Sequence, residues 1–558
     1  MQNYKIIYFY LLLCLAISVP VFMYLFCDVQ YPYIFFDEKY YIELAQSFHK
    51  YRDFVYEGNR LHTSRALYSI LISPFFALKQ FTISFRAIQI FNQIVYALSA
   101  IPVFLITYKL SEKQEAKKFR LQTAFLIAMA FLIMPARLYA NIAMPESLFL
   151  LFFLWSFYFS WQFLCKKQLL SAIFGIIFFV LAFFTKQQVI IIIPAVFIAL
   201  LVEIIFNKKE RKKLILFLAA GIFALISISF ILYKKAFIPA HYFKLFSINL
   251  NNLVHNWKSF AAQFLMLGWI CGLLPFLFLI RAVFNIRKLS EKQRLFTVLS
   301  FSLIVILWIA TSFYVIFINE KYNALSLFSR YYICITPLLL ISLTLNTHKL
   351  KLKKFQFTKQ FLQFIFFGTA IGIFCCLTTY ILPEFVAKRV DGNALSISGW
   401  HINNRPLLFS AILIGGFLFV WAIGQLFLKG TSKLYALIAG MFVLTIVASV
   451  RQKKYSSSIS VPAIPISKMI DRNVPLGAPL IYVGGKYDKS LFLTEILSPR
   501  YSKRFPGVKD DKHFLQNIFS PKIFKDVTYV LTPSNYKLPT KPISQTNGYS
   551  LYKLKMVQ

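Results

Sequence analysis

Long runs of apolar residues follow one another through the first 450 residues and are separated by short polar segments. A helix that crosses a bilayer needs about 20 mainly apolar residues. On that length the pattern predicts thirteen membrane-spanning helices, at residues 5–26, 85–108, 121–140, 147–165, 169–185, 189–206, 214–233, 259–280, 295–318, 330–346, 361–383, 407–428 and 434–450. The predicted fold class is therefore a polytopic α-helical membrane protein with about 13 transmembrane helices.

Two long segments lie outside the predicted spans, at residues 27–84 and 451–558. In the first, Tyr41, Leu44, Ala45 and Phe48 recur at helical spacing, which predicts a helix with one apolar face at the membrane surface. In the second, short strand-like runs at 479–483, 527–531 and 549–553 and a helical stretch at 463–472 predict a small α/β domain. We therefore expect a transmembrane domain over 1–450, with 27–84 as its first external loop, and an extracytoplasmic α/β domain over 451–558.

The composition excludes several classes of protein. The 558 residues are 58% hydrophobic and only 15% charged, whereas soluble domains carry about 25% charged residues. The net charge of +40 comes from 61 Lys and Arg against 21 Asp and Glu. A chain this apolar cannot present that charge as a soluble basic face, so we expect membrane lipids and no nucleic acid as its partners. The seven cysteines show no metal-type spacing and fall mostly in apolar runs.

The basic residues are unevenly distributed among the loops. Loops rich in Lys and Arg occur at 109–120, 166–167, 208–213, 281–294 and 349–354, and all of them fall on one side of the predicted membrane. Because cytoplasmic loops carry an excess of Lys and Arg, that side is predicted to be the cytoplasm. The expected location is the cytoplasmic (inner) membrane, with the N-terminus inside and the C-terminal domain outside.

Acidic residues are scarce, so their positions are informative. Asp37 and Glu38 begin the predicted helix of the first external loop. The simplest interpretation is a helix N-terminus, where carboxylates are favoured. Five further ionisable residues recur at the same predicted outer level, namely Arg86, Arg137, Glu146, Lys186 and Arg330. Each alone is typical of a side chain that anchors a helix at the bilayer surface. Together they suit a lipid-linked anionic substrate, since cations can hold a phosphate while a carboxylate deprotonates a hydroxyl.

The order of these features resembles the C-type superfold glycosyltransferases (the GT-C fold), in the branch of the protein O-mannosyltransferases and the bacterial lipid A aminoarabinose transferase. The resemblance rests on short stretches in the same order along the chain: Asp37-Glu38-Lys39-Tyr40-Tyr41, Leu67-Tyr68, Arg86, Pro145-Glu146, Thr185-Lys186, and Arg330-Tyr331 before Pro337. It is best over residues 30–210. One departure is Ala66, which stands where this branch has a proline before Leu-Tyr.

The resemblance implies an integral-membrane enzyme that transfers a sugar from a polyprenyl-phosphate donor to an acceptor hydroxyl on the external face, with inversion. Asp37 is then the general base or orients the acceptor, and Glu38 is its neighbour in the pair. Glu146 matches an acid that holds the acceptor or a divalent metal, and Arg86, Lys186 and Arg330 contact the lipid phosphate. Arg137 joins this predicted phosphate site by its position alone. A divalent metal stays open as a cofactor, and the acceptor stays open between an envelope glycan, a lipid and a protein.

Three other functions compete with the glycosyltransferase. A transporter or flippase of a lipid-linked or envelope precursor suits the number of spans, although such proteins carry polar or broken helices at the membrane midplane, often with internal repeats. The long central spans of this chain are nearly free of charge, and the sequence has no repeat. A polysaccharide polymerase or ligase usually has a large central external loop, whereas here the segment at 234–258 is modest. An assembly factor that binds a partner through its basic tail is the non-catalytic alternative.

Overall fold

A computed structural model describes residues 32, 36–56, 59–61, 65–78, 80–111, 117–207, 273–322, 329–345, 463–475, 480–484, 502–506, 529–534, 538, 540–546 and 548–553, with single positions between 211 and 264 and between 438 and 449. The chain divides into two compact units. The larger unit comprises Met1–Phe26, Asn92–Ala140 and Pro145–Ser449. The smaller unit comprises Cys27–Phe91, Asn141–Met144 and Val450–Gln558.

The smaller unit begins with helix α1 (Phe36–Tyr51), which has Asp37 and Glu38 in its first turn and His49 and Lys50 in its last. This distribution of charge suits the helix dipole. The predicted apolar face is buried, since Tyr41, Leu44 and Ala45 are at most 5% exposed. A short hairpin of β1 (Val55–Tyr56) and β2 (Asn59–Arg60) follows, and then α2 (Leu67–Ile72), whose Ser69 hydroxyl donates to the carbonyl of Tyr41.

The membrane-type helices come next along the chain. They are α3 (Phe81–Leu98), α4 (Ala100–Leu110), α5 (Lys117–Ile133), α6 (Glu146–Lys166), α7 (Leu169–Thr185), α8 (Ile192–Phe206), α9 (Leu273–Phe284), α10 (Glu291–Tyr322) and α11 (Thr336–Ser342). Within the described residues, four helical segments are long and apolar enough to cross a membrane: Phe81–Leu110, Glu146–Lys166, Gln187–Phe206 and Glu291–Tyr314.

Most of the spans predicted from the sequence can be compared with these helices. Those at 85–108, 147–165, 189–206 and 295–318 coincide with the four long segments, and those at 121–140, 169–185 and 330–346 fall on shorter apolar helices. The spans at 5–26, 361–383 and 407–428 lie outside the described residues, and those at 214–233, 259–280 and 434–450 are described only in part. The helical membrane architecture is thus confirmed, and the number thirteen stays a prediction.

Prolines break the helical run at defined points. Pro102 has no N–H for the carbonyl of Leu98, which fits the boundary between α3 and α4 at Ser99. Pro135 disfavours helical geometry at Met134, and α5 ends at Ile133. Short 3₁₀ segments fill such breaks, at Pro135–Asn141, Gln187–Ile191 and Ser329–Ile335. The predicted site residues Arg137 and Arg330 lie on two of these segments, and Lys186 directly precedes the third.

Helices α6 and α7 form an antiparallel hairpin joined by two residues. Lys167 turns the chain in the left-handed conformation, with φ 54°. The hydroxyl of Ser156 donates to the carbonyl of Gly175 across the pair at 3.1 Å. The rings of Phe159 and Phe178 stack 5.8 Å apart. The first residue of α6 and the residue after α7 therefore come to the same end of the hairpin.

The C-terminal residues of the smaller unit form a helix, α12 (463–473), and a five-stranded sheet. The strands are β3 (Leu480–Gly484), β4 (Ser502–Pro506), β5 (Tyr529–Pro533), β6 (Ser544–Thr546) and β7 (Tyr549–Lys553), in the order β4-β3-β5-β7-β6. β3 is parallel to both its neighbours, and the other pairs are antiparallel. Ile466 and Ile470 of α12 pack with Leu480, Leu531 and Leu551. The helix and three of the strands were predicted, whereas β4 and β6 were not.

Candidate functional site

An ion pair at the open end of the α6–α7 hairpin joins two of the predicted site residues. Lys186 Nζ lies 3.2 Å from Glu146 Oε1, although the two residues are 40 positions apart. Glu146 begins α6 directly after Pro145, and Lys186 leaves α7 in an extended conformation at φ −157° and ψ 121°. The side chains are only 4% and 13% exposed. A pair sheltered from water to this degree interacts more strongly than a surface pair, because solvent screens it less.

A third predicted residue, Arg330, lies beside this pair. The ammonium of Lys186 lies 4.9 Å from the centre of the Tyr331 ring, and the guanidinium of Arg330 lies 5.5 Å from the same ring. The same ammonium lies 5.7 Å from the centre of the Phe149 ring. Arg330 is 9% exposed. Two cations therefore lie over one aromatic ring, and such an arrangement can attract an anion.

Gln188 fixes the segment that carries Arg330. Its side-chain amide donates to the backbone carbonyl of Tyr331 and lies 3.7 Å from the sulfur of Cys334. Since Gln188 is two residues beyond Lys186, this contact holds the two cation-bearing segments together. Gln188 and Phe149 were missed by the sequence analysis. The polar run Thr185-Lys186-Gln187-Gln188 inside an otherwise apolar stretch was the signal for Gln188, whereas nothing distinguishes Phe149 from its many aromatic neighbours.

The second oxygen of Glu146 is an acceptor that a ligand can use. Glu146 Oε2 is buried and has no hydrogen-bond partner among the described residues. A buried acceptor without a donor costs free energy, so this oxygen is suited to a hydroxyl or a metal ion supplied by a ligand. No group of three or more His, Cys, Asp and Glu side chains in the described part of the chain is arranged to hold a metal.

The acidic pair of the first external loop divides into two different environments. Glu38 is fully buried, and its Oε1 accepts a hydrogen bond of 2.9 Å from the backbone N–H of Ala143. It thereby holds the short segment Asn141–Met144 within the smaller unit. The neighbouring Lys39 is 2% exposed and pairs with Glu43 at 3.1 Å. Asp37 is half-buried in the first turn of α1, so it is accessible in a way that Glu38 is not.

The remaining two predicted cations differ from Lys186 and Arg330. Arg86 is exposed on α3. Arg137 is 1% exposed, and its Nε donates to Gln93 Oε1 at 2.7 Å while Nη1 donates to the carbonyl of Leu132. Its guanidinium also lies 5.6 Å from the ring of Tyr96. Arg137 is thus engaged by its own surroundings, and Arg86 is open to solvent or lipid.

Comparison with solved structures identifies the fold. The chain is similar to ArnT from Cupriavidus metallidurans with undecaprenyl phosphate bound, with a TM-score of 0.56, 13% identity and coverage of 97% of each chain. It is similar to the same protein in the apo state, with a TM-score of 0.55, 13% identity and the same coverage. No protein-family model matches the chain, and no curated protein matches it by sequence. The chain therefore has the GT-C fold that the sequence resemblance implied.

The Glu146–Lys186 pair makes a prediction about stability. Lys186→Met leaves a buried carboxylate without its cation, and breaking such a pair costs about 3–5 kcal/mol. Glu146→Gln combined with Lys186→Met removes both charges, so the double variant should be more stable than Lys186→Met alone. Thermal unfolding of the detergent-solubilised protein measures both effects. The exposed pair of Asp53 and Arg60 is the control, where neutralising either partner should cost at most about 1 kcal/mol. Equal losses at the two pairs would contradict the burial argument.

Proposed function

We propose that the protein is an integral-membrane glycosyltransferase that transfers a sugar from a polyprenyl-phosphate donor to an acceptor hydroxyl of an envelope glycan, a lipid or a protein. The observation that carries the proposal is a sheltered cluster in which Glu146 pairs with Lys186, while Lys186 and Arg330 both lie over the Tyr331 ring. It occurs on the fold of an enzyme whose structure was solved with undecaprenyl phosphate, and its two cations suit the phosphate of such a lipid.

The proposed reaction is an inverting displacement at the anomeric carbon. The acceptor oxygen forms a bond to that carbon while the bond to the phosphate oxygen breaks, and polyprenyl phosphate leaves with the bonding electrons. Asp37 takes the proton of the acceptor hydroxyl or orients that hydroxyl. Lys186 and Arg330 stabilise the negative charge that grows on the departing phosphate. Glu146 orients Lys186 through one oxygen and offers the other to the acceptor or to a divalent metal.

The remaining predicted residues take supporting roles in this proposal. Glu38 holds the segment that leads to α6 through its bond to Ala143, so it acts on the fold of that segment. Arg137 stabilises the 3₁₀ segment that carries it. Arg86, being exposed, meets lipid phosphate only at the bilayer surface. The transporter is the alternative function, and it does not explain why the described cations gather beside a buried acid at one end of a helical hairpin.

Substitutions of the two sheltered cations test the phosphate site. Lys186→Ala and Arg330→Ala should each lower sugar transfer by about 10- to 100-fold, because a charge-assisted hydrogen bond to phosphate contributes roughly 1.5–3 kcal/mol. Lys186→Arg keeps the charge and changes the geometry, so it should retain donor binding better than Lys186→Ala. Transfer is measured with purified variants against increasing polyprenyl-phosphate sugar. Arg60→Ala, whose side chain is 85% exposed, is the control and should match the wild type. Unchanged donor dependence in both alanine variants would refute the phosphate site.

Asp37→Asn tests the catalytic carboxylate. Asparagine suits a helix N-terminus nearly as well as aspartate, so the cost to folding is at most about 1 kcal/mol. Loss of a general base lowers a rate by about 10²- to 10⁴-fold, and we expect transfer to fall by that amount in a correctly inserted protein. Asp53→Asn removes a partly exposed acid just beyond the same helix and should leave transfer unchanged. Near-normal transfer by Asp37→Asn would mean that Asp37 serves only the helix.

The proposed orientation has the N-terminus in the cytoplasm and the C-terminal sheet outside. It follows from the alternation of basic loops. A reporter enzyme that is active only outside the cytoplasm should be active when fused after Gln558 and inactive when fused after Lys209. The reverse pattern would invert the topology and would put Asp37 on the wrong side for a donor in the outer leaflet.

A further inference from the structure

A second cluster of cations lies at the end of α6 that is opposite to Glu146. At this end the ammonium of Lys109, the next-to-last residue of α4, is half-buried and donates to the hydroxyl of Tyr158 and to Gln162 Oε1. It also lies 4.6 Å from the centre of the Tyr158 ring. Both hydrogen-bond acceptors are neutral. Tyr158 and Gln162 lie 12 and 16 residues beyond Glu146 on α6, which separates the Lys109 ammonium from Glu146 by roughly 18–24 Å along the helix, so this cluster takes no part in the proposed transfer.

Two other cations lie close enough to Lys109 to act on it, and a third lies against the neighbouring residue of α4. The positive charges of Lys166 and Lys292 act on its ammonium, and both side chains are exposed. Arg120 lies against the preceding residue, Tyr108, with its guanidinium 4.5 Å from the ring and Nη2 donating to the carbonyl. Arg120 Nε is buried and has no acceptor among the described residues.

The acidic groups described at this end do not neutralise the cluster. Glu203 is engaged by Arg294 at 3.0 Å. Glu291 is exposed beside Lys292, and no described carboxylate forms an ion pair with Lys109, Arg120, Lys166 or Lys292. A partly buried ammonium without a counter-ion is costly, and an anion from outside the chain would offset that cost.

The backbone around the cluster is held in place before any ligand binds. The indole N–H of Trp161 donates to the carbonyl of Lys292 at 3.1 Å, which ties α6 to the start of α10. The side-chain amide of Gln293 donates to the carbonyl of Leu110 at 3.4 Å, which ties α10 to the end of α4. Three helix ends are therefore fixed to one another, and binding an anion would not require them to be ordered first.

The neighbouring surface indicates what kind of anion fits. Leu169 and Leu170, three and four residues after Lys166, are 73% and 64% exposed. A free phosphate ion would leave this apolar surface uncovered, whereas the acyl chains of a membrane lipid can cover it. Basic pockets between helices at the cytoplasmic ends of membrane proteins bind anionic headgroups. We propose that Lys109, Arg120, Lys166 and Lys292 form a binding site for the headgroup of an anionic phospholipid in the leaflet at this end of α6.

Native mass spectrometry of the purified full-length protein tests the site without any transfer assay. The probes are phosphatidylglycerol, phosphatidylcholine with the same acyl chains, and inorganic phosphate. The combined variant Lys166→Gln and Lys292→Gln changes two exposed side chains, so it should fold normally. Lys109→Gln removes the half-buried charge. Lys288→Gln, an exposed lysine on the 3₁₀ turn Ile286–Lys288 just before α10, removes one positive charge outside the cluster and is the matched control.

We expect the wild type to retain phosphatidylglycerol in preference to phosphatidylcholine. Its affinity should fall about five-fold for each clustered lysine removed, should weaken at higher salt, and should be unaffected by Lys288→Gln. Equal retention of the two lipids, an unchanged affinity in the combined variant, or an equal loss in Lys288→Gln would overturn the proposal. Displacement of the lipid by inorganic phosphate at a comparable concentration would also overturn it, since the site would then recognise phosphate alone.

Discussion

The cost of placing a charge among apolar side chains governs the arrangement of this molecule. The chain has few acids, and three that are almost fully buried each join segments that are distant in sequence. Glu38 accepts from the backbone of Ala143, Glu146 pairs with Lys186, and Glu203 pairs with Arg294. Each carboxylate can remain charged only where a donor meets it. These pairings therefore restrict the packing of the helices more tightly than apolar contacts, which allow side chains to slide.

The same constraint distinguishes the candidate site from the other ionisable residues at the predicted outer level. Apolar contacts explain why α6 and α7 lie side by side, but they do not explain a lysine and an arginine over one tyrosine ring with a glutamate paired to the lysine. Glu146 pairs with Lys186 through one oxygen, and its other oxygen has no hydrogen-bond partner in the part of the chain that the structure describes. Arg137 has its donors engaged by Gln93 and a backbone carbonyl. The difference between a residue prepared for a ligand and one used by the fold lies in these partners.

Much of the helical fold could be predicted from the sequence, because a bilayer imposes a length on every span. The span predicted at 169–185 coincides with α7, and the span at 147–165 differs from α6 by one residue at each end. The partners of individual charges could not be predicted in this way. Nothing in the sequence indicates that Lys186 meets Glu146, or that Arg86 is exposed while Arg330 is sheltered. Strands β4 (Ser-Lys-Arg-Phe-Pro) and β6 (Ser-Gln-Thr) were missed because their short polar stretches lack the alternation that marks a strand.

The two-residue turn at Lys167 has a consequence for how this chain can vary. Glu146 and Lys186 meet because α6 and α7 have matched lengths on either side of that turn. One residue inserted in α7 would displace Lys186 by about 1.5 Å along the axis and rotate it by roughly 100°, away from its acid. The number of residues in the hairpin therefore determines whether the two charged side chains meet. Homologous chains are free to exchange its apolar side chains for one another, but those that keep the pair must also keep the number of residues between its two ends.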